Sequence, residues 1–221
     1  MASDRLPVRI FLFGALAFFL VASLAPAPAS AKDSSRLGQW DAYAFMERLG
    51  TGSAAGYPYP DIKYKEDNAF LYGVGFGKSF HPRFNAGAEL YYSNPDLIGM
   101  VEDKNYSVTN KVRLIGGNVF VDFFLADWYI APLITGSIGL THYSSDVFDA
   151  PINSKDYRIE TLRNKAFSDL DFTYSLGGGI RWDVTKRFMV KGVYQMTWRN
   201  LARETGPMTI EGYKIEAGIK F

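Results

Sequence analysis

Phe70-Leu71-Tyr72-Gly73-Val74-Gly75-Phe76-Gly77-Lys78-Ser79-Phe80-His81-Pro82-Arg83-Phe84-Asn85-Ala86-Gly87-Ala88-Glu89-Leu90-Tyr91-Tyr92 is the stretch that decides the fold. From Phe70 to Phe80 every second residue is bulky and apolar, Lys78 being the one interruption, while Gly73, Gly75, Gly77 and Ser79 fill the alternate positions. After His81-Pro82 the alternation resumes, with Phe84, Ala86, Ala88, Leu90 and Tyr92 against Asn85, Gly87, Glu89 and Tyr91. A period of two is the signature of an extended strand, whose successive side chains point to opposite faces. Two such runs joined by a tight turn predict an antiparallel hairpin.

The same period recurs to the end of the chain. Val119, Val121 and Phe123 oppose Asn118, Phe120 and Asp122, and after a turn at Ala126-Asp127 come Ile130, Ile134, Ile138 and Leu140 against Thr135, Ser137, Gly139 and Thr141. Phe172, Tyr174, Leu176, Ile180 and Trp182 follow, then a turn at Thr185-Lys186, then Phe188, Val190, Tyr194, Met196 and Trp198. The last run places Tyr213, Ile215, Ala217, Ile219 and Phe221 on one face. These segments exceed the roughly five or six residues usual in globular sheets and suit tilted strands that cross a bilayer. An eighth strand is expected in Gln39–Gly50, because bacterial barrels have an even strand number. Its alternation is poor, and Asp41–Leu49 would also suit a short amphipathic helix.

The links alternate too. His81-Pro82, Ala126-Asp127 and Thr185-Lys186 are short; the segments near 51–69, 94–107, 144–168 and 200–208 are longer and more polar. Short periplasmic turns and long external loops are the pattern of a membrane barrel.

The first residues stand apart. Arg5 and Arg9 precede an apolar run from Ile10 to Leu24, and Ala29-Ser30-Ala31 is a small-residue cleavage box, so residues 1–31 read as a secretory signal peptide and 32–221 as the mature domain. Across the whole chain 24 basic side chains face 23 acidic ones, which gives no electrostatic support to a nucleic-acid partner. The chain has no Cys, so an exported domain of this kind is not held by disulfides. No apolar stretch after the leader approaches the roughly 18 residues of a membrane helix.

A soluble sandwich would hide its bulky face. Here that face holds too much volume for the lumen of a small barrel, and the other carries Gly, Ser, Thr and charges of both signs: Glu89, Lys111, Arg113, Asp122, Asp171, Arg181, Asp183, Lys191, Arg199, Lys214, Glu216 and Lys220. In a closed barrel that second face is the lumen, and ions there must pair. Phe80, Phe84, Phe123, Trp128, Trp182, Phe188 and Phe221 gather beside the short turns, and Phe70, Tyr92, Tyr143, Phe172, Tyr174 and Trp198 toward the long loops. Two aromatic girdles mark the interfaces of an outer-membrane barrel. The expectation is an all-β, eight-stranded antiparallel up-and-down transmembrane barrel.

On these residues the chain resembles the small eight-stranded outer-membrane barrels of the OmpA, OmpW and opacity-protein type. The last strand, Tyr213-Lys-Ile-Glu-Ala-Gly-Ile-Lys-Phe221, is similar to the family's terminal strand, and Ile130-Ala-Pro-Leu-Ile-Thr-Gly-Ser-Ile-Gly-Leu140, with Gly136 and Gly139 after Pro132, to its strand that carries a Pro followed by two Gly. The resemblance implies a Gram-negative outer-membrane location, lipid and lipopolysaccharide as surroundings, and a monomer. It also implies that Tyr213, Ile215, Ile219 and Phe221 form the signal read by the assembly machinery, a transient partner.

Candidate chemistry is sparse. His142 and Ser144 share a strand face, with Asp146 and Asp149 nearby, the residue types of a nucleophile and its base. The spacing resembles the His-x-Ser-Asn element of lipid A 3-O-deacylase barrels, but that element lies on the penultimate strand, which here reads Tyr194-Gln-Met-Thr-Trp-Arg199, and Ser145 replaces the Asn. With only His81 and His142 available, no metal site is implied, and Gly177-Gly178-Gly179 lacks the strand-to-helix context of a phosphate cradle. No cofactor is expected. The reading is therefore a non-enzymatic barrel with a structural or surface-recognition role and a lumen occluded by paired charges. The alternatives are a small-molecule channel of the OmpW type and a lipid A acyl hydrolase using His142 and Ser144.

Overall fold

Among the described residues eleven strands succeed one another: β1 (Trp40–Leu49), β2 (Gly52–Ala55), β3 (Ile62–Asp67), β4 (Phe70–His81), β5 (Phe84–Ser93), β6 (Asp96–Val101), β7 (Tyr106–Phe124), β8 (Ile130–Ser145), β9 (Ser168–Trp182), β10 (Phe188–Asn200) and β11 (Pro207–Lys220). The structure, a computed structural model, describes residues 36–50, 52–55, 62–67, 70–101, 106–145, 168–200 and 207–221. The leader at 1–31 lies outside the described residues, as do Asp146 and Asp149.

Every pairing is antiparallel, and the wall runs β1-β4-β5-β7-β8-β9-β10-β11 before β11 returns to β1. The closing register runs from Asp41↔Lys220 to Leu49↔Gly212, and Trp40 and Phe221 exchange backbone hydrogen bonds of 2.9 and 3.0 Å at the seam. Closure removes the open edges that lipid cannot satisfy. The eight-stranded antiparallel barrel is thus the observed fold. Residues 40–49 form its first strand, not a helix. Their alternation is poorly legible because large side chains (Tyr43, Phe45, Leu49) point inward while small ones (Ala42, Ala44) point outward.

Register shows what β2, β3 and β6 are. β5 pairs with β7 as Ser93↔Leu114, and β6 with the same strand as Asp96↔Lys111, so β6 continues β5 in register beyond Asn94-Pro95. The amide lost to Pro95 is no loss to β7, since Val112 N donates to the Pro95 carbonyl at 3.0 Å. β2 likewise faces β3 (Gly52↔Glu66) in the register by which β1 faces β4 (Trp40↔Lys78). The three short strands are the outer halves of β1, β4 and β5. The segments near 51–69 and 94–107, expected to be loops, therefore carry part of the wall. β7 has 19 residues, against about 9–11 needed to span the bilayer, so the wall projects roughly 20 Å beyond the external interface.

The wall is apolar outward and charged inward. Leu90 is 67% exposed and Tyr213 66%, whereas Asp41, Asp122 and Glu216 are fully buried. In water such a surface would drive aggregation; in lipid it is the required one. Trp40–Phe76 and Phe84–Phe123 ring pairs, each at 4.9 Å, lie at the end with the short turns. Tyr174–Trp198 at 5.3 Å and Tyr194–Tyr213 at 5.0 Å lie at the other end. Lys78, the break in the bulky row, sits with its Nζ 4.6 Å from the Trp40 ring centroid, its stem along the wall and its charge at the periplasmic interface. Tyr143, expected in the external girdle, faces the lumen instead, in line with Leu133 and Thr141 on β8.

Candidate functional site

Aromatic rings crowd the lumen. The aromatic rings of β1 lie flat on the glycines of β4: a Cβ built at Gly75 would meet Tyr43 Cζ at 2.3 Å, and one at Gly73 would meet Phe45 Cζ at 2.3 Å. That contact explains why the inner face of β4 is nearly bare of side chains while β1 carries large ones.

Around these rings the ionic groups form tiers. At the periplasmic mouth Arg181 spans to Asp41 by two hydrogen bonds, 2.6 Å from Nη1 and 3.0 Å from Nη2, and to Asp183 from Nε at 3.0 Å. Lys220 Nζ meets Asp183 at 3.1 Å, and Asn85 donates to Asp41 at 3.2 Å. Arg36, ahead of β1, turns into this mouth. It donates to Asp183 at 2.9 Å, to Asp127 at 3.3 Å and to the Trp128 carbonyl, and it lies over the Phe124 ring at 4.7 Å. A left-handed Gly38 (φ 79°) allows the reversal, and its amide is held by the Ser79 carbonyl at 2.7 Å. Arg36 is only 1% exposed.

The charge balance of this tier sets its titration. Burial would raise the Asp183 pKa, but Arg181, Arg36 and Lys220 together hold it below the ordinary 3.8. Burial lowers the Arg36 pKa, with Asp183 opposing it.

Midway up, Lys191 bridges Asp122 (2.9 Å) and Glu216 (2.8 Å), and Lys214 bridges Glu216 (3.1 Å) and Glu89. Tyr43 donates to Glu89 at 2.8 Å. The ammonium groups lie against rings, Lys191 5.2 Å from Phe120 and Lys214 4.4 Å from Phe45. Nearer the outside, Gln195 donates to Glu47 at 2.9 Å and Arg199 lies 5.8 Å from the Tyr143 ring. Hydroxyls complete this tier: Tyr91 with Thr141 at 2.8 Å, and Ser137 with Ser175 at 2.7 Å. A cavity of about 30 Å³ remains there, lined by Glu47, Glu89, Asn118, Gln195 and Arg199 among others, room for a couple of waters.

Of the charges expected in the lumen, the structure brings Glu89, Asp122, Arg181, Asp183, Lys191, Arg199, Lys214 and Glu216 to its interior, and Asp171 half-buried at its outer end. Arg113 is the exception and is corrected. β7 alternates without a break from Val112 and Leu114 to Asp122, all inward, so an odd-numbered residue such as Arg113 or Lys111 must point out, and both are exposed. Asp41, Glu47 and Arg36 belong to the network and were not among the expected lumen charges.

His142 and Ser144 also face outward. Their cross-strand partners are Ile115 with Leu170, and Arg113 with Ser168, none of them a carboxylate, while Asp146 and Asp149 lie outside the described residues. Tyr213, Ile215, Ile219 and Phe221 are exposed along the outer face of β11.

Comparison with known proteins agrees with this geometry. Residues 16–221 match the outer membrane protein beta-barrel domain. Among solved structures, the outer membrane protein OprG of Pseudomonas aeruginosa is similar at 11% identity, covering 85% of this chain and 98% of its own, with a TM-score of 0.55. Neisserial surface protein A is similar at 10% identity, covering 83% and 97%, with a TM-score of 0.50. The attachment invasion locus protein Ail of Yersinia pestis aligns at 11% identity over 84% and 99%, with a TM-score of 0.49. No curated protein sequence matches the chain. With eight strands closed, an apolar exterior and a match over nearly its whole length, the chain belongs to the family of outer membrane beta-barrel domain proteins of the Gram-negative outer membrane.

Proposed function

We propose that the protein is a monomeric barrel with a structural or surface-recognition role, whose lumen is sealed and whose projecting external wall is the working surface. The observation that carries this reading is the periplasmic tier, where Arg36, Arg181 and Lys220 are matched by Asp41, Asp127 and Asp183 across the mouth. An ion or solute entering there would have to break several buried pairs, each costly to disrupt. Eight strands leave little lumen to begin with, and aromatic rings occupy much of it. The extension of β1, β4 and β5 by β2, β3 and β6 favours a rigid platform that displays the segments above the membrane.

In this reading residues 1–31 are removed near Ala31 during export, and Tyr213, Ile215, Ile219 and Phe221 present the terminal strand to the assembly machinery. A tag inserted within residues 146–167 is expected to be reached by antibody on intact cells, and liposomes bearing the protein are expected not to swell in small sugars. Sugar-dependent swelling would overturn the sealed lumen; an inaccessible tag would overturn the display role.

A further inference from the structure

Four buried oxygens that meet no protein donor lie in one row on the inner face of the wall. The row starts at Gln39, just ahead of β1, whose carbonyl accepts the Ser79 amide of β4 at 2.8 Å. Register carries it on from Ser79 to Asn85 on β5, and from Asn85 to Asp122 on β7. Residues paired in this way have Cα atoms about 4.5–5.5 Å apart, so their side chains stand side by side. Ser79 and Asp122 are 0% exposed and Asn85 is 2% exposed. Gln39 Oε1, Ser79 Oγ, Asn85 Oδ1 and Asp122 Oδ1 nevertheless have no hydrogen-bond partner among the described residues. A buried acceptor left unmet is destabilising, and four in one row call for a shared partner.

The neighbours fix which oxygens are left over. Asn85 gives an amide N–H to Asp41 at 3.2 Å, and the reverse orientation would set its oxygen against a carboxylate, so Oδ1 is the end turned away. Beside it lies Gly77, two residues before Ser79 on β4. A Cβ there would stand 2.9 Å from that oxygen, so the bare glycine leaves space next to it. On β7 the Lys191 ammonium takes Asp122 Oδ2 at 2.9 Å and reaches Glu216 at 2.8 Å, which leaves Asp122 Oδ1 to the row.

The surrounding charge favours a cation there over a water. Asp122, Glu216 and Glu89 are held by two ammonium groups, Lys191 and Lys214, with one negative charge left over. The mouth below has no cation to lend, since Arg36, Arg181 and Lys220 are matched by Asp41, Asp127 and Asp183. Above, Arg199 brings one more cation and Glu47 one more carboxylate. Carboxylate, amide and hydroxyl oxygens, with no nitrogen or sulfur among them, suit a hard ion and not a transition metal. One carboxylate and one excess negative charge suit a single positive charge. We propose that Gln39, Ser79, Asn85 and Asp122 hold one monovalent alkali cation, such as sodium, between the ionic tiers of the lumen. The ion is held and not passed, so the inference is independent of whether the lumen conducts. An ion bound by the folded barrel alone adds to its stability by mass action.

The test is urea unfolding of the mature barrel in phosphatidylcholine vesicles, in sodium chloride against choline chloride at equal ionic strength and pH. Once sodium exceeds its dissociation constant, the folding constant is expected to rise about tenfold for each tenfold rise in sodium, as one bound ion requires. Asp122→Asn is expected to abolish this dependence. Ser79→Ala removes one hydroxyl and keeps every charge; it is expected to shift the dependence to about tenfold higher sodium, and it decides alone if Asp122→Asn does not fold. His142→Ala, on the outer wall, is expected to keep the wild-type dependence. Equal wild-type midpoints in sodium and choline would overturn the ion and leave the row to water or a proton. A sodium dependence unchanged by Ser79→Ala and Asp122→Asn would overturn its location.

Discussion

Arg181 on β9 and Asp41 on β1 are joined by two parallel hydrogen bonds, although β10 and β11 separate their strands around the wall. The pair is a strut across the lumen. Removing one member leaves a buried charge, so Asp41→Ala is expected to cost about 3–5 kcal/mol. Replacing both, as Asp41→Leu with Arg181→Met, is expected to cost less than the single change, because no unpaired ion is left on Asp41's side. Urea unfolding of the barrel in phospholipid vesicles measures both.

The mouth should also respond to acid. A carboxyl whose pKa is held below its ordinary 3.8, as that of Asp183 is, contributes stability that is fully present above that value and lost as the pH falls through the lowered one. Stability is therefore expected to be insensitive to this group from neutral pH down to about 5 and to decline below about 4. Asp183→Asn should be less stable at neutral pH and show a shallower acid decline. Urea midpoints across pH 3–7 test the sign.

Two glycines that look alike in the sequence are expected to differ. A Cβ at Gly75 meets only the flexible end of Tyr43 among its three nearest atoms, whereas one at Gly73 also meets the Leu90 carbonyl at 2.4 Å. Gly75→Ala is expected to lose roughly 1–3 kcal/mol by overpacking in the wild type and much less in a Tyr43→Ala background, which is itself destabilised by loss of the buried ring. Gly73→Ala should keep its cost in a Phe45→Ala background, since backbone cannot move aside. Unfolding midpoints of the single and double variants, read as two double-mutant cycles, decide.

The period-two pattern was enough to place β4, β5 and β8 to β11, because each puts bulky residues toward lipid and small or charged ones inward. β1 breaks that rule, with Tyr43 and Phe45 inward over Gly75 and Gly73, and only the three-dimensional contact explains it. Chemistry groups Arg113 with Asp122, yet nine residues of unbroken alternation put the two on opposite faces. β3 and β6 hid in polar segments. Register of β3 with β2 and of β6 with β7 identifies them as strand extensions, although the alternation of Ile62, Tyr64 and Glu66 against Lys63, Lys65 and Asp67 is a faint local signal. Arg36 carries no periodic signal at all. Its role comes from partners 91 and 147 residues away.

His142 and Ser144 face lipid, and among the described residues their cross-strand partners Ile115, Leu170, Arg113 and Ser168 include no carboxylate; the proposed non-enzymatic role therefore predicts no acyl hydrolysis. Overexpression should leave the mass spectrum of cellular lipid A unchanged, and purified protein should release no fatty acid from it. A mass loss of one acyl chain that disappears in Ser144→Ala would establish the hydrolase.

The proposed seal of the lumen is tested most directly by single-channel recording of the purified mature barrel in planar bilayers at neutral pH. Silent membranes are expected, with the wild type and with Lys78→Ala alike, because the Arg36–Asp183–Arg181–Asp41 cluster closes the periplasmic mouth. Reproducible, discrete conductance steps from the wild-type protein would contradict the account.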